Sequence, residues 1–113
     1  MLSPDGKCKC LDESANGYAK GEAVVAILLQ KKSMAKRIYA TVVHTKTNND
    51  GYEEMGITFP SYQTQRDIMR ATYAEAGIDP HDVHYVEAHC TGTQAGDPEE
   101  MRAICESMCS GMK

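Results

Sequence analysis

The residues best suited to chemistry lie between Glu87 and Glu99, in the string Glu87-Ala88-His89-Cys90-Thr91-Gly92-Thr93-Gln94-Ala95-Gly96-Asp97-Pro98-Glu99. An imidazole can donate a hydrogen bond to a developing oxyanion, or move a proton near neutral pH. His89 is the residue that offers this. Thr91 and Thr93, at alternate positions behind it, offer hydroxyls to amide groups of a ligand. Asp97 has the type and position to cap a helix, with Pro98 at the first helical position and Glu99 and Glu100 at the positive end of the helix dipole. The blander reading of His89 is a hydrogen-bonded structural histidine.

Such a site needs a rigid base. His84–His89 reads as a strand that delivers His89 to its carboxyl end, where α/β proteins bind ligands. A polar loop, Cys90–Gly96, leads to a helix with Met101, Ile104, Cys105 and Met108 on one face and Gly111 at its end. Upstream, Val24–Leu29 is a continuous apolar run that suits a strand buried on both faces. Ile38–Thr45 reads as a second strand, and the short basic link between the two favours an antiparallel pair. Ser61 is placed to cap a helix over about Tyr62–Ala76. That helix carries Gln65, Ile68, Met69, Thr72, Tyr73 and Ala76 on one face, and Gly77 ends it. Met1–Tyr18 is turn-rich surface loop. The expected fold class is α/β.

Composition narrows the function. With 113 residues, 42% apolar and 25% charged, the chain is one globular domain or part of one. A net charge of −4 with scattered Lys and Arg lacks the basic stripe that nucleic acid requires. No apolar run approaches the roughly 18 residues of a membrane span, and no secretory signal opens the chain, so the expected location is cytoplasmic. The five cysteines, Cys8, Cys10, Cys90, Cys105 and Cys109, suggest no disulfide framework and read as reduced thiols. Cys105 reads as core and Cys109 as flank. Cys8-x-Cys10 is too close for a zinc pair and no second pair accompanies it, so no metal site is expected.

Four motifs in order carry a resemblance. Glu-Ala-His-x-Thr-Gly-Thr-x-x-Gly-Asp-Pro, at residues 87–98, resembles the first-histidine motif of β-ketoacyl synthases in type I fatty acid and polyketide synthases. Asn16–Glu22 is similar to that family's G-Y-x-R-G-E segment. Asn48–Gly51 with Gly56-Ile57-Thr58-Phe59-Pro60 is similar to its N-x-D-G…G-x-T-x-P segment, and Ala76–Pro80 to the turn before the histidine strand. Met-Leu-Ser-Pro-Asp-Gly at the start and Phe59-Pro60-Ser61 look most like the animal or insect type of fatty acid synthase.

The resemblance implies a partial thiolase-like fold: the end of the first half at about 1–50, and the start of the second at about 51–113. It implies the decarboxylative condensation of malonyl and acyl thioesters, with His89 as the first catalytic histidine. Thr91 and Thr93 would bind the phosphopantetheine arm of an acyl carrier protein. No cofactor belongs to this segment itself. The implied partners are the carrier protein, the thioesters and the rest of a homodimeric ketosynthase, with neither nucleic acid nor membrane. The family's nucleophilic cysteine and second histidine fall outside the chain, so the chain alone is expected to be inactive. The alternatives are a non-catalytic ketosynthase remnant, serving as an interaction module or a pseudogene product, and a fragment of a type I polyketide synthase. Cys90 stands where most members have Gly.

Overall fold

The computed structural model describes residues 1–56 and 58–109; Ile57 of the Gly56–Pro60 motif and Gly111, expected to end the last helix, lie outside them. Two helices carry the architecture. The first, α1, spans Tyr62–Ala76 and starts where the sequence requires: Ser61 is extended and its hydroxyl accepts the Thr64 N–H at 3.3 Å. It stops at Gly77, which adopts the left-handed conformation with φ 65° and takes up carbonyls of the last turn through its N–H. The second, α2, spans Gly96–Met108, and the Cys109 N–H closes it onto the Cys105 carbonyl at 2.9 Å.

The helices pack on each other by apolar contact below and charge above. In α1, Gln65, Ile68, Met69, Thr72, Tyr73 and Ala76 are all half-buried, as their common face predicts. In α2, Ala103, Ser107 and Met108 are buried. Cys105, expected in the core, is exposed, because α2 turns the Ala103–Ser107 side toward α1. Arg66 reaches Glu106 at 3.3 Å, Arg102 meets Glu106 at 3.0 Å, and Arg70 donates to the Glu106 carbonyl at 2.8 Å. The Arg102 guanidinium lies 3.6 Å from the centre of the Tyr62 ring and donates to its hydroxyl. Extended chain before α1 is tied to the helix by His44 and Lys46 on Glu75, and by Asn48 on the Thr64 carbonyl at 3.0 Å.

The three expected strands are not strands here. Val24–Leu29, Ile38–Thr45 and His84–His89 form no ladder among the described residues, whose one isolated bridge joins Leu2 to Tyr18. Val24 is 102% exposed and Leu28 87%. A strand exists only as part of a ladder, and these segments find no neighbouring strand among the described residues. One-turn 3-10 helices at Lys32–Met34 and Pro80–Asp82 punctuate the extended stretches.

The dimensions agree. The Cα radius of gyration is 16.8 Å, where a compact chain of this length has about 13 Å. The accessible surface is 9264 Å², against about 6,100 Å² for a folded monomer of this mass. The chain follows a fixed path without closing a core over its apolar runs.

Two predictions arise from this packing. The isolated chain unfolds without cooperativity and binds an apolar-surface dye; a sharp, reversible, monomeric calorimetric transition above about 60 °C refutes this. The second concerns acid. Arg102, then Arg66, hold the Glu106 carboxyl below its ordinary value. A depressed folded value stabilises above the unfolded pKa, and the contribution is lost as pH falls through the folded one. The helical circular dichroism signal therefore falls on acid titration through that range, and Glu106→Gln flattens this component.

Candidate functional site

The loop from His89 to Thr93 is built by α2 behind it and by the N-terminal segment beside it. Asp97 does not cap α2 as its position suggests. The helix starts two residues earlier, with Ala95 at the cap position, and its leading amide, Gly96 N–H, is taken by the Thr93 hydroxyl at 3.1 Å, with the Asp97 N–H on the Thr93 carbonyl at 3.1 Å. The Asp97 carboxylate, only 5% exposed, points back into the loop. It accepts from Gly92 N–H at 3.1 Å, Thr93 N–H at 3.2 Å and, across the chain, Leu11 N–H at 3.1 Å. Pro98 still falls in the first turn, where a missing N–H does no harm.

Glu100, one turn further along, completes the arrangement. Its two oxygens accept the backbone N–H groups of His89 and Cys90, each at 2.7 Å. The sequence reading assigned Glu100 only a dipole role. The signal for more was present in the spacing: carboxylates at i and i+3 share one helix face, here the face turned to the loop.

The N-terminal segment reaches this loop by close backbone approach. Gly17 donates its N–H to the Gly92 carbonyl at 3.0 Å. A Cβ on Gly17 (φ 133°) would stand 2.4 Å from the Met1 carbonyl oxygen, and one on Gly92 (φ 83°) 2.6 Å from the Lys9 nitrogen. Neither position admits a side chain. Leu2 and Tyr18 pair, and Ser3 and Ala15 are buried, so the turn-rich segment, though largely exposed, is anchored at these points.

His89 is exposed, and its imidazole takes no hydrogen-bond partner among the described residues. Thr91 and Thr93 are half-buried. The Thr93 oxygen is committed to Gly96 as an acceptor, which leaves its O–H to donate. Thr93 also borders a groove of ≈ 480 Å³ whose other walls include Leu11, Ala15, Pro98 and Met101; His89 does not line it.

Cys90 has φ 33°, in the left-handed region that glycine occupies freely. Its thiol lies 3.8 Å from the Met101 sulfur and is pushed up to about 12, by burial first and then by the neighbouring Cys10 and the Glu100 carboxylate. It is therefore protonated at neutral pH and a poor nucleophile.

The path of the chain defines its class. It superposes on a ketosynthase from module 6 of the bacillaene synthase of Bacillus subtilis 168 with a TM-score of 0.91 at 41% identity, over 96% of this chain and 20% of that one. The fold is thus part of the thiolase-like ketosynthase architecture, its extended segments following the course of that domain even where they lack ladders.

Residues 1–35 match the family described as Beta-ketoacyl synthase, N-terminal domain, and residues 39–113 match Beta-ketoacyl synthase, C-terminal domain. The chain belongs to the β-ketoacyl synthase family. It is similar to a fatty acid synthase of Anser anser anser, 53% identical over 109 residues, covering 96% of this chain and 31% of that protein. It is also similar to a partially reducing polyketide synthase of Menisporopsis theobromae, 47% identical over 112 residues, covering 96% of this chain and 4% of that protein. The chain therefore spans a third or less of these relatives. No helix among the described residues is long and apolar enough to cross a membrane.

Strain at Cys90 is measurable. In the complete ketosynthase carrying this segment, Cys90→Gly raises the urea midpoint, corresponding to about 1–3 kcal/mol of released strain, whereas Cys90→Ala, which also removes the thiol, does not. Equal midpoints for the two variants would show that φ 33° costs nothing here.

Proposed function

We propose that this segment works within the condensing domain of a fatty acid synthase, in the decarboxylative Claisen condensation of malonyl and acyl thioesters. The observation that carries this reading is the exposed imidazole of His89 on a loop whose backbone is held at 2.7 Å by Glu100, within a chain 53% identical to a fatty acid synthase. That identity favours fatty acid over polyketide synthesis, where the similar relative stands at 47%.

In this reading His89 donates a hydrogen bond to the thioester oxygen of a malonyl group. As carbon dioxide leaves, the oxygen gains the charge of an enolate, and a preoriented donor favours that state over the neutral ester. The enolate then attacks an acyl thioester held elsewhere in the domain. Thr91 and the free O–H of Thr93 donate to the amide carbonyls of the phosphopantetheine arm, which brings the malonyl group from an acyl carrier protein. Glu100 and Asp97 act at one remove, as positioning residues: Glu100 fixes the peptide groups on either side of His89, and Asp97 holds the amides of Gly92 and Thr93 further along the loop. The partners in this proposal are the carrier protein, the remainder of the ketosynthase domain and a second copy of that domain, in the cytoplasm.

None of the five cysteines fits the acyl-accepting role, so the 113-residue chain alone forms no acyl-enzyme with acyl-CoA. In the complete ketosynthase carrying this segment, His89→Ala lowers malonyl decarboxylation by about a hundredfold or more and leaves acylation near the wild-type rate. Decarboxylation within about twofold of wild type, far short of that loss, would remove His89 from the mechanism. Stoichiometric acyl labelling of the chain would refute the first expectation.

A further inference from the structure

We propose that Cys10 and Cys90 form a redox-sensitive pair, closing into a reversible disulfide across the histidine loop. The two residues are 80 positions apart in sequence, and several contacts hold them together. Lys9 abuts Gly92, leaving no room for a Cβ; the Leu11 N–H donates to Asp97; Gly17 donates to the Gly92 carbonyl. Cys10, flanked by Lys9 and Leu11, thus runs alongside the loop that starts at Cys90, and it contributes to the upward push on the Cys90 thiol.

The remaining thiols are placed differently. Cys8 sits against the Ala19 backbone, accepting its N–H at 3.2 Å. Cys105 and Cys109 are exposed at the far end of α2.

The two members of the pair differ in the way a stepwise oxidation uses. Cys10 is exposed and Cys90 half-buried, so a small peroxide meets Cys10 first. With hydrogen peroxide as oxidant, the Cys10 sulfur attacks one oxygen and the O–O bond breaks. The released hydroxide leaves as water with the thiol proton, and Cys10 becomes a sulfenic acid. The Cys90 thiol, protonated at rest and so slow to react, gives up its proton as its sulfur attacks the Cys10 sulfur, which the S–OH bond has made electrophilic. The S–O bond breaks, a second water departs with the Cys90 proton, and the S–S bond forms. Two electrons pass from the thiols to the peroxide. A dithiol reductant reverses the bond by thiol–disulfide exchange.

The closed bond joins the segment matched to the N-terminal domain to the residue next to His89, and so fixes the loop by a covalent link beside the carboxylates that already hold it. Any effect on condensation rests on the role proposed for His89; the bond itself does not.

The test is disulfide mapping, which has no activity readout. The chain, and in parallel the complete ketosynthase carrying this segment, is reduced, exposed to hydrogen peroxide, blocked with a maleimide, digested without reductant and analysed by mass spectrometry. The expected result is a loss of two hydrogens, reversed by dithiothreitol, with the Cys10–Cys90 peptide about tenfold more abundant than any other pairing, the ratio that 29.6 mV of redox preference produces. Cys10→Ser abolishes it. So does Cys90→Gly, a substitution the backbone accepts, and it leaves Cys10 as a sulfenic acid. A Cys10–Cys90 peptide in neither preparation, or no more abundant than Cys8–Cys10 or Cys105–Cys109, overturns the proposal. Either result leaves the His89 test standing, because that test reads decarboxylation alone.

Discussion

Five backbone amides from two distant parts of the chain converge on two carboxylates of one helix. Asp97 takes those of Leu11, Gly92 and Thr93, and Glu100 takes those of His89 and Cys90. A loop with this conformation has no ladder to satisfy its N–H groups, and a buried amide without a partner costs about 1–3 kcal/mol. Ionised acceptors make the bonds roughly twice as strong as neutral ones. Everything else at the site hangs on this arrangement. It sets where His89 leaves the backbone, and it sets the approach of Gly17 and Lys9 to Gly92. It also joins the part of the chain matched to one domain of the family to the part matched to the other.

The stability of the arrangement and that of the rest of the chain come from different sources. The α1–α2 pair and the loop at its end are self-sufficient in hydrogen bonding. The apolar stretches at 24–29, 38–45 and 84–88 are not, since they form no ladder and most of their residues are exposed. Roughly 3,000 Å² of surface beyond that of a compact monomer is the measure of what these stretches leave uncovered. The ketosynthase chain on which this one superposes is about five times longer, and this chain covers 20% of it. The site is thus carried by the locally satisfied part, and the extended part is the one left uncovered.

That division also decides what could be read from the residues. Helix α1 was legible to both ends, because Ser61 and Gly77 act locally and their effects do not depend on what packs outside. The strands were read from β-branched, apolar runs, which report a preference for a pleated, covered surface and not the presence of a partner. His89, Thr91 and Thr93 stand out by residue type and spacing alone, and the order of motifs gave the family. The job of Asp97 was misread because an acid before a proline at a helix start signals a cap, whereas its neighbours in space are Leu11 and Gly92. Glu100 and the neighbourhood of Cys10 with Cys90 depend on contacts spanning 10 to 80 residues, which local periodicity does not encode.

Cys90 shows which effect prevails when local preference and tertiary demand conflict. A non-glycine residue at φ 33° costs on the order of 1–3 kcal/mol, and a free choice of conformation would move it. Two opposing terms hold it in place. Moving its peptide would break the 2.7 Å bonds from the His89 and Cys90 amides to Glu100, each a bond to a charged group and so of about 1.5–3 kcal/mol. It would also swing Gly92 against the Lys9 backbone, where no slack exists. The sum of these exceeds the strain, so the loop keeps the conformation a glycine would adopt and the side chain bears the cost. The thiol that results stands beside Cys10 and one residue from the exposed imidazole. Cys90 therefore places a sulfur beside the contacts through which the two matched parts of the chain meet.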